Sequence, residues 1–192
     1  ADDESLVKAM GNGWAWDDYN DDYSAEISLM PLYNNQISVQ KKAGVWQISP
    51  KLFSQDARVT KQKEVMRGRN SNHLDLPDTT AYAKQAIPFI TSVDLTARLL
   101  ADTLKKPILT QKHPIPAAAI MHYDGLLDSL IRPMMYTSDN QIAEQLLYLI
   151  AAKRGWSGPT SRIIEQLKKE NSVVVDLRWV DGSGLSRYNL VR

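Results

Sequence analysis

Two hydrophobic spacings run along this chain, and the balance between them changes near residue 112. Before that point the apolar positions come in short alternating runs: Ala25, Ile27 and Leu29, then Ile37 and Val39, then Val45, Trp46 and Ile48. Pro31, Asn34-Asn35, Gly44 and Pro50 punctuate them. Alternation with period two between turn formers predicts small antiparallel strands. One helix interrupts the series. Leu95, Leu99, Leu100 and Leu104 recur at helical spacing, and Pro107 closes the segment.

After residue 112 the spacing is mostly helical. His113-Pro114-Ile115-Pro116 cannot lie inside a helix, because two prolines remove donors and fix the backbone. This stretch is the expected hinge between a β-rich unit, residues 1–112, and a helical one, residues 113–192. Leu126, Leu127, Leu130 and Ile131 form one apolar stripe, and after Arg132-Pro133 a second runs through Ile142, Leu146, Leu149 and Ile150. Gly155 is a plausible stop. A third helix is expected over residues 160–169, opened by Thr160 or Ser161 and ending in Lys168-Lys169 near its negative end. Val173, Val174, Val175 and Leu177 read as a buried strand. Asp181-Gly182-Ser183-Gly184 must turn. The expected fold class is α+β.

Composition narrows the function classes. The chain has 192 residues, 43% of them apolar, enough for a real core. A net charge of +1 leaves no electrostatic footprint for nucleic acid. The densest basic group, Lys61, Lys63, Arg67 and Arg69 beside Glu64, reads as a solvated face or loop. With no cysteine, disulfides, zinc ribbons and thiol chemistry are excluded. No run approaches the ~20 apolar residues of a membrane span, and no leader is visible. His73, His113 and His122 lack ligand-like spacing, so no metal or other cofactor is implied. Asp17, Asp18, Asp21 and Asp22 lack the EF-hand pattern and read as an acidic turn. Trp14, Trp16, Tyr19 and Tyr23 could stack on sugars, but such a cluster more often anchors a small β-domain core.

Tyr136-Thr137-Ser138-Asp139-Asn140 precedes the second stripe. By itself the tripeptide is a good helix cap, since Ser, Asp and Asn all satisfy free amide donors at a helix start. It also matches the second element of the serine penicillin-recognising enzymes, which combine Ser-x-x-Lys, Ser-x-Asn and Lys-Thr-Gly. Acyl transfer needs a proton delivered to the leaving amine, which a serine hydroxyl can relay. It also needs a donor for a substrate carbonyl, which an asparagine amide supplies.

Three blocks extend the match. Residues 126–150, with their Pro-Met, Ser-Asp-Asn, Ala-Glu and leucine-rich helix, resemble the Ser-x-Asn region of the class C low-molecular-mass penicillin-binding proteins. Those are D-alanyl-D-alanine carboxypeptidase/endopeptidases of the penicillin-binding protein 4 type. Val180-Asp181-Gly182-Ser183-Gly184-Leu185-Ser186-Arg187-Tyr188-Asn189-Leu190-Val191 is similar to the signature after the family's next strand. Gly13-Trp14-Ala15-Trp16-Asp17-Asp18 with Tyr23-Ser24-Ala25 resembles a segment of the region inserted between the first and second motifs. Residues 41–112 match only loosely.

The resemblance implies a β-rich insert followed by the helical part of a transpeptidase-like domain. It implies a catalytic role in proton transfer for Ser138 and substrate positioning by Asn140. Asp139 would be structural, and Asp181 and Ser183 would be turn formers supporting the site. The implied partners are peptidoglycan stem peptides, and β-lactams in the intact enzyme, in the periplasm or cell envelope. No Lys-Thr-Gly occurs. The Ser-x-x-Lys at Ser5-Leu6-Val7-Lys8 lies too close to Trp14 to be the family's nucleophile motif. The chain is therefore expected to be an internal piece of a larger enzyme, inactive alone. The rival expectation is a non-catalytic envelope module that binds peptidoglycan or a partner protein.

Overall fold

The computed structural model describes residues 9–111, 127–171 and 177–190. The expected hinge at residues 113–116, the strand at 173–176, the Ser5–Lys8 motif, His113 and His122 lie outside them. The fold is α+β, and the chain divides into two compact units. One is Ala15–Leu109; the other joins the described residues on either side of it.

In the first unit, β1 (Gln36–Lys42) pairs antiparallel with β2 (Val45–Ser49) across a tight turn. Gly44 takes a φ of 78° there, where a side chain would be strained. β6 (Tyr82–Pro88) covers the other edge of β1, giving the order β2-β1-β6. A second sheet sets β5 (Leu74–Pro77) between parallel β3 (Ala57–Thr60) and antiparallel β4 (Met66–Arg67). Ile37 and Val39 point into the core, as period two requires, and join Phe53, Val65, Leu74, Leu76, Ile87 and Phe89. Helix α1 (Val93–Leu104) adds Leu95 and Leu99. Its first turn is capped by the Ser92 hydroxyl, which accepts from the Leu95 amide at 3.1 Å. Leu104 of the expected stripe ends exposed.

Two expectations for this unit change. Ala25 and Ile27 are buried, but residues 25–28 form no strand. The Glu26 carbonyl accepts from the Asn35 side chain at 2.7 Å, so its acceptor is used locally instead of in a ladder. Arg67, read as part of a solvated basic face, is buried. Its guanidinium donates to the carbonyls of Pro88, Gly68, Arg69, Ser71 and Tyr19. Desolvation pulls its pKa down, and the Glu26 charge opposes the shift. The five-donor fork satisfies a knot of backbone acceptors that no apolar residue could serve.

The second unit carries three helices: α2 (Leu127–Thr137), α3 (Asn140–Lys153) and α4 (Thr160–Glu170). Helix α2 contains Pro133. The Thr137 hydroxyl donates to the Pro133 carbonyl four residues back, at 2.9 Å. Leu147 and Ala151 of α3 pack on Ile163 and Ile164 of α4, with Tyr148, Trp156, Leu167 and Trp179 around them. Pro159 precedes α4, so Thr160 is its first residue and not its cap. The final segment folds back on itself, with Arg178 and Leu190 exchanging backbone bonds at 3.0 and 2.9 Å.

Among the described residues, no helix is long and apolar enough to cross a membrane.

Candidate active site

The junction between α2 and α3 is two residues long, and each residue is specified by a helix end. Helix α2 stops with a bond from the Asp139 amide to the Met134 carbonyl at 3.0 Å. This is the six-to-one bond of a Schellman motif, which requires a left-handed residue just before the donor. That residue is Ser138, at φ 56°. Helix α3 ends in the same way, with the Trp156 amide bonded to the Ala151 carbonyl at 2.8 Å. There the left-handed position is Gly155, at φ 69°. Two helices thus share one stop motif, one with the residue that suits it and one with a serine. A β-carbon in this region costs about 1–2 kcal/mol.

Asp139 closes α2 and opens α3. Its carboxylate accepts from the Ile142 amide at 2.9 Å, an N-cap bond. The cap is therefore made by Asp139, leaving Ser138 exposed before it and Asn140 half-buried after it.

Asp181 and Ser183 belong to a second cluster, the turn of residues 181–189. The Asp181 carboxylate is buried. One oxygen accepts from the Gly184 amide at 3.0 Å and the Asn189 side chain at 2.7 Å. The other accepts from the Ser186 amide at 2.6 Å and the Trp14 indole at 3.0 Å. Two glycines serve this turn for different reasons. Gly184 has a φ of 81°. At Gly182 a β-carbon would lie 2.8 Å from the Ala143 carbonyl and 2.9 Å from the Leu147 side chain. The turn therefore lies directly on α3.

Glu144 links the two clusters. It sits one helical turn beyond Asn140 and is fully buried. One carboxylate oxygen accepts from the Ser183 amide at 2.9 Å and the Ser183 hydroxyl at 2.8 Å. The other has no hydrogen-bond partner among the described residues. Burial pushes the carboxyl above its ordinary 4.5, aided by the nearby Asp181 charge and opposed by the Ser183 and Gly182 donors. The folded chain therefore holds this proton to higher pH than the unfolded chain does. The stability it contributes is complete below about pH 4.5 and is lost as pH rises through the raised value. Melting temperatures of wild type and Glu144→Gln should accordingly diverge with rising pH, to the disadvantage of wild type. A difference that stays constant from pH 4.5 to pH 8 would refute the shift.

The structure thus brings Ser138, Asp139 and Asn140 together at the helix junction, and Asp181 and Ser183 together in the turn. In the sequence Glu144 stands only as the Glu of the Ala-Glu in the second motif block, and its place four residues past Asn140, among the apolar positions of that stripe, was the available signal. Trp14 also serves the turn, not the β-rich core, while Trp16 is exposed beneath the Arg69 guanidinium at 4.2 Å. Among the described residues, no group of His, Asp and Glu is arranged to hold a metal ion.

Residues 1–192 match the family described as the D-Ala-D-Ala carboxypeptidase 3 (S13) family. The chain belongs to this family. Its S13 membership agrees with the family resemblance of the three sequence blocks. No curated protein sequence matches the chain. Among solved structures it is similar to penicillin-binding protein 4 from Haemophilus influenzae, with a TM-score of 0.67 and 20% identity. That match covers 98% of this chain and 49% of the other. A second structure of that protein, complexed with a β-lactam, gives a TM-score of 0.55 and 21% identity over 85% of this chain and 45% of the other. The fold is shared, and this S13 chain spans about half the length of the structures it matches.

Proposed function

We propose that this chain is the part of a serine-type D-alanyl-D-alanine carboxypeptidase/endopeptidase that carries the Ser-Asp-Asn element of its active site. The whole protein would act in the cell envelope, in the periplasm, on peptidoglycan stem peptides, and β-lactams would acylate it. A serine elsewhere in the protein attacks the carbonyl carbon of the D-Ala-D-Ala bond. The C–N bond breaks, the leaving amine takes a proton, and water then hydrolyses the acyl-serine. Ser138 passes the proton to the leaving nitrogen, and the Asn140 amide donates to a substrate carbonyl. The helical unit would be the transpeptidase-like part, and residues 15–109 the insert.

The observation that carries this reading is Ser138 at φ 56° in a helix stop that suits glycine. Backbone strain kept at an exposed hydroxyl, beside a cap that Asp139 already makes, points to a use for that hydroxyl. The test compares the whole protein with this 192-residue chain. The whole protein should release D-alanine from a pentapeptide ending in D-Ala-D-Ala and take one fluorescent penicillin. The chain alone should take none by intact mass. A stoichiometric adduct on Ser5 of the isolated chain would overturn the exclusion of that serine. A whole protein that binds peptidoglycan but neither reacts with penicillin nor frees D-alanine would be a binding module.

A further inference from the structure

We infer that Glu144 is a positioning residue that locks the start of α3, and with it Ser138 and Asn140, against the turn of residues 181–186. The inference rests on the active-site reading of Ser138 and Asn140.

A fully buried glutamate loses its hydration, a cost that the hydrogen bonds it accepts must offset. The Leu147, Ala151, Ile163 and Ile164 cluster along α3 and α4 already supplies apolar packing. What the carboxylate adds is direction. It takes both the amide and the hydroxyl of Ser183, at 2.9 and 2.8 Å. Two donors from one residue on one oxygen fix both the distance and the rotation of α3 relative to the turn.

The turn is itself held rigidly. Asp181 ties together Gly184, Ser186, Asn189 and Trp14. Gly182 lets the turn's backbone approach α3 so closely that a β-carbon would collide with the Ala143 carbonyl. Glu144 thus joins a preorganised frame to the helix whose first residue is Asn140, one turn away. A leucine at this position would fill the volume and leave the helix free to roll or slide by a fraction of an ångström. Catalytic groups tolerate such shifts poorly, and a displacement of 1 Å costs on the order of 100-fold in rate.

Steady-state kinetics of the whole protein on a D-Ala-D-Ala pentapeptide, paired with melting curves, test the inference. Glu144→Leu strands the amide and hydroxyl of Ser183 and should melt below wild type; where it still folds at the assay temperature it should lose about tenfold or more in kcat, with KM changed less than kcat. Glu144→Gln keeps one acceptor oxygen for Ser183 and should retain most of the turnover. Ser183→Ala removes one of the two donors without altering α3. It should lose a few-fold in kcat, and it serves if Glu144→Leu does not fold. Wild-type kcat in a folded Glu144→Leu, or in Ser183→Ala, overturns the inference. So does a Glu144→Gln that falls as far as Glu144→Leu, because the acceptor would then not be what matters. Ser138→Ala in the same assay separates the two levels. If Ser138→Ala is impaired and the Glu144 and Ser183 variants are not, only the positioning role fails. If Ser138→Ala is fully active, the active-site reading itself fails.

Discussion

Replacing Ser138 or Asn140 by alanine in the whole protein should lower turnover of a D-Ala-D-Ala peptide on the order of 100-fold, the cost of one well-placed catalytic donor. Folding should be nearly unaffected, since Ser138 is exposed, Asn140 is half-buried and neither fills the core. The helix cap lies between them, on Asp139, so losing either side chain leaves the Ile142 amide bonded. Ser138→Gly sharpens the test. Glycine adopts the φ of 56° that serine holds under strain. This variant should melt no lower than wild type while losing as much turnover as Ser138→Ala. A serine present only to cap or turn would give the opposite pair, full activity with a changed melting point. Wild-type turnover in both alanine variants would end the assignment.

Asp181→Ala and Asp181→Asn should both destabilise the second unit severely, by about 3–5 kcal/mol, the scale for breaking a buried charged network. Alanine leaves the Trp14 indole, the Asn189 amide and the Gly184 and Ser186 amides without their acceptor. Each stranded buried donor costs about 1–3 kcal/mol, less than additively as water enters. The asparagine variant is the more telling one. Each Asp181 oxygen accepts from at least two N–H donors, so an NH2 group placed at either position meets two N–H groups head-on. Isosteric replacement therefore rescues little. Denaturant unfolding of the 192-residue chain, followed through tryptophan fluorescence, measures the loss. A change below about 1 kcal/mol in either variant would mean that the network does not hold the turn.

What could be read from the chain tracks how local each cause is. Helices α1 and α3 follow from apolar spacing, α4 from its opening polar residues and closing lysines, and β1 from Ile37 and Val39 alternating. Gly155 marks the end of α3 because a Schellman stop uses residues within one turn of each other. The Asp139 cap is equally local. The Ala25–Leu29 alternation misled because a strand is not a wholly local property. Period two shows which side chains turn inward, but a strand also needs a partner, and Asn35 took the Glu26 carbonyl first.

The sequence by itself determined the α+β class, the main helices, the tight turns and the three motif blocks, because each rests on residues close together in the chain. Only the tertiary structure decided the burial of Arg67, the union of Trp14 with Asp181 across 167 residues, and the hold of Glu144 on Ser183 across 39. A lone arginine, tryptophan or glutamate carries no local mark of its partner. A buried polar group becomes tolerable only when distant donors and acceptors converge on it, and that convergence is a property of the folded chain.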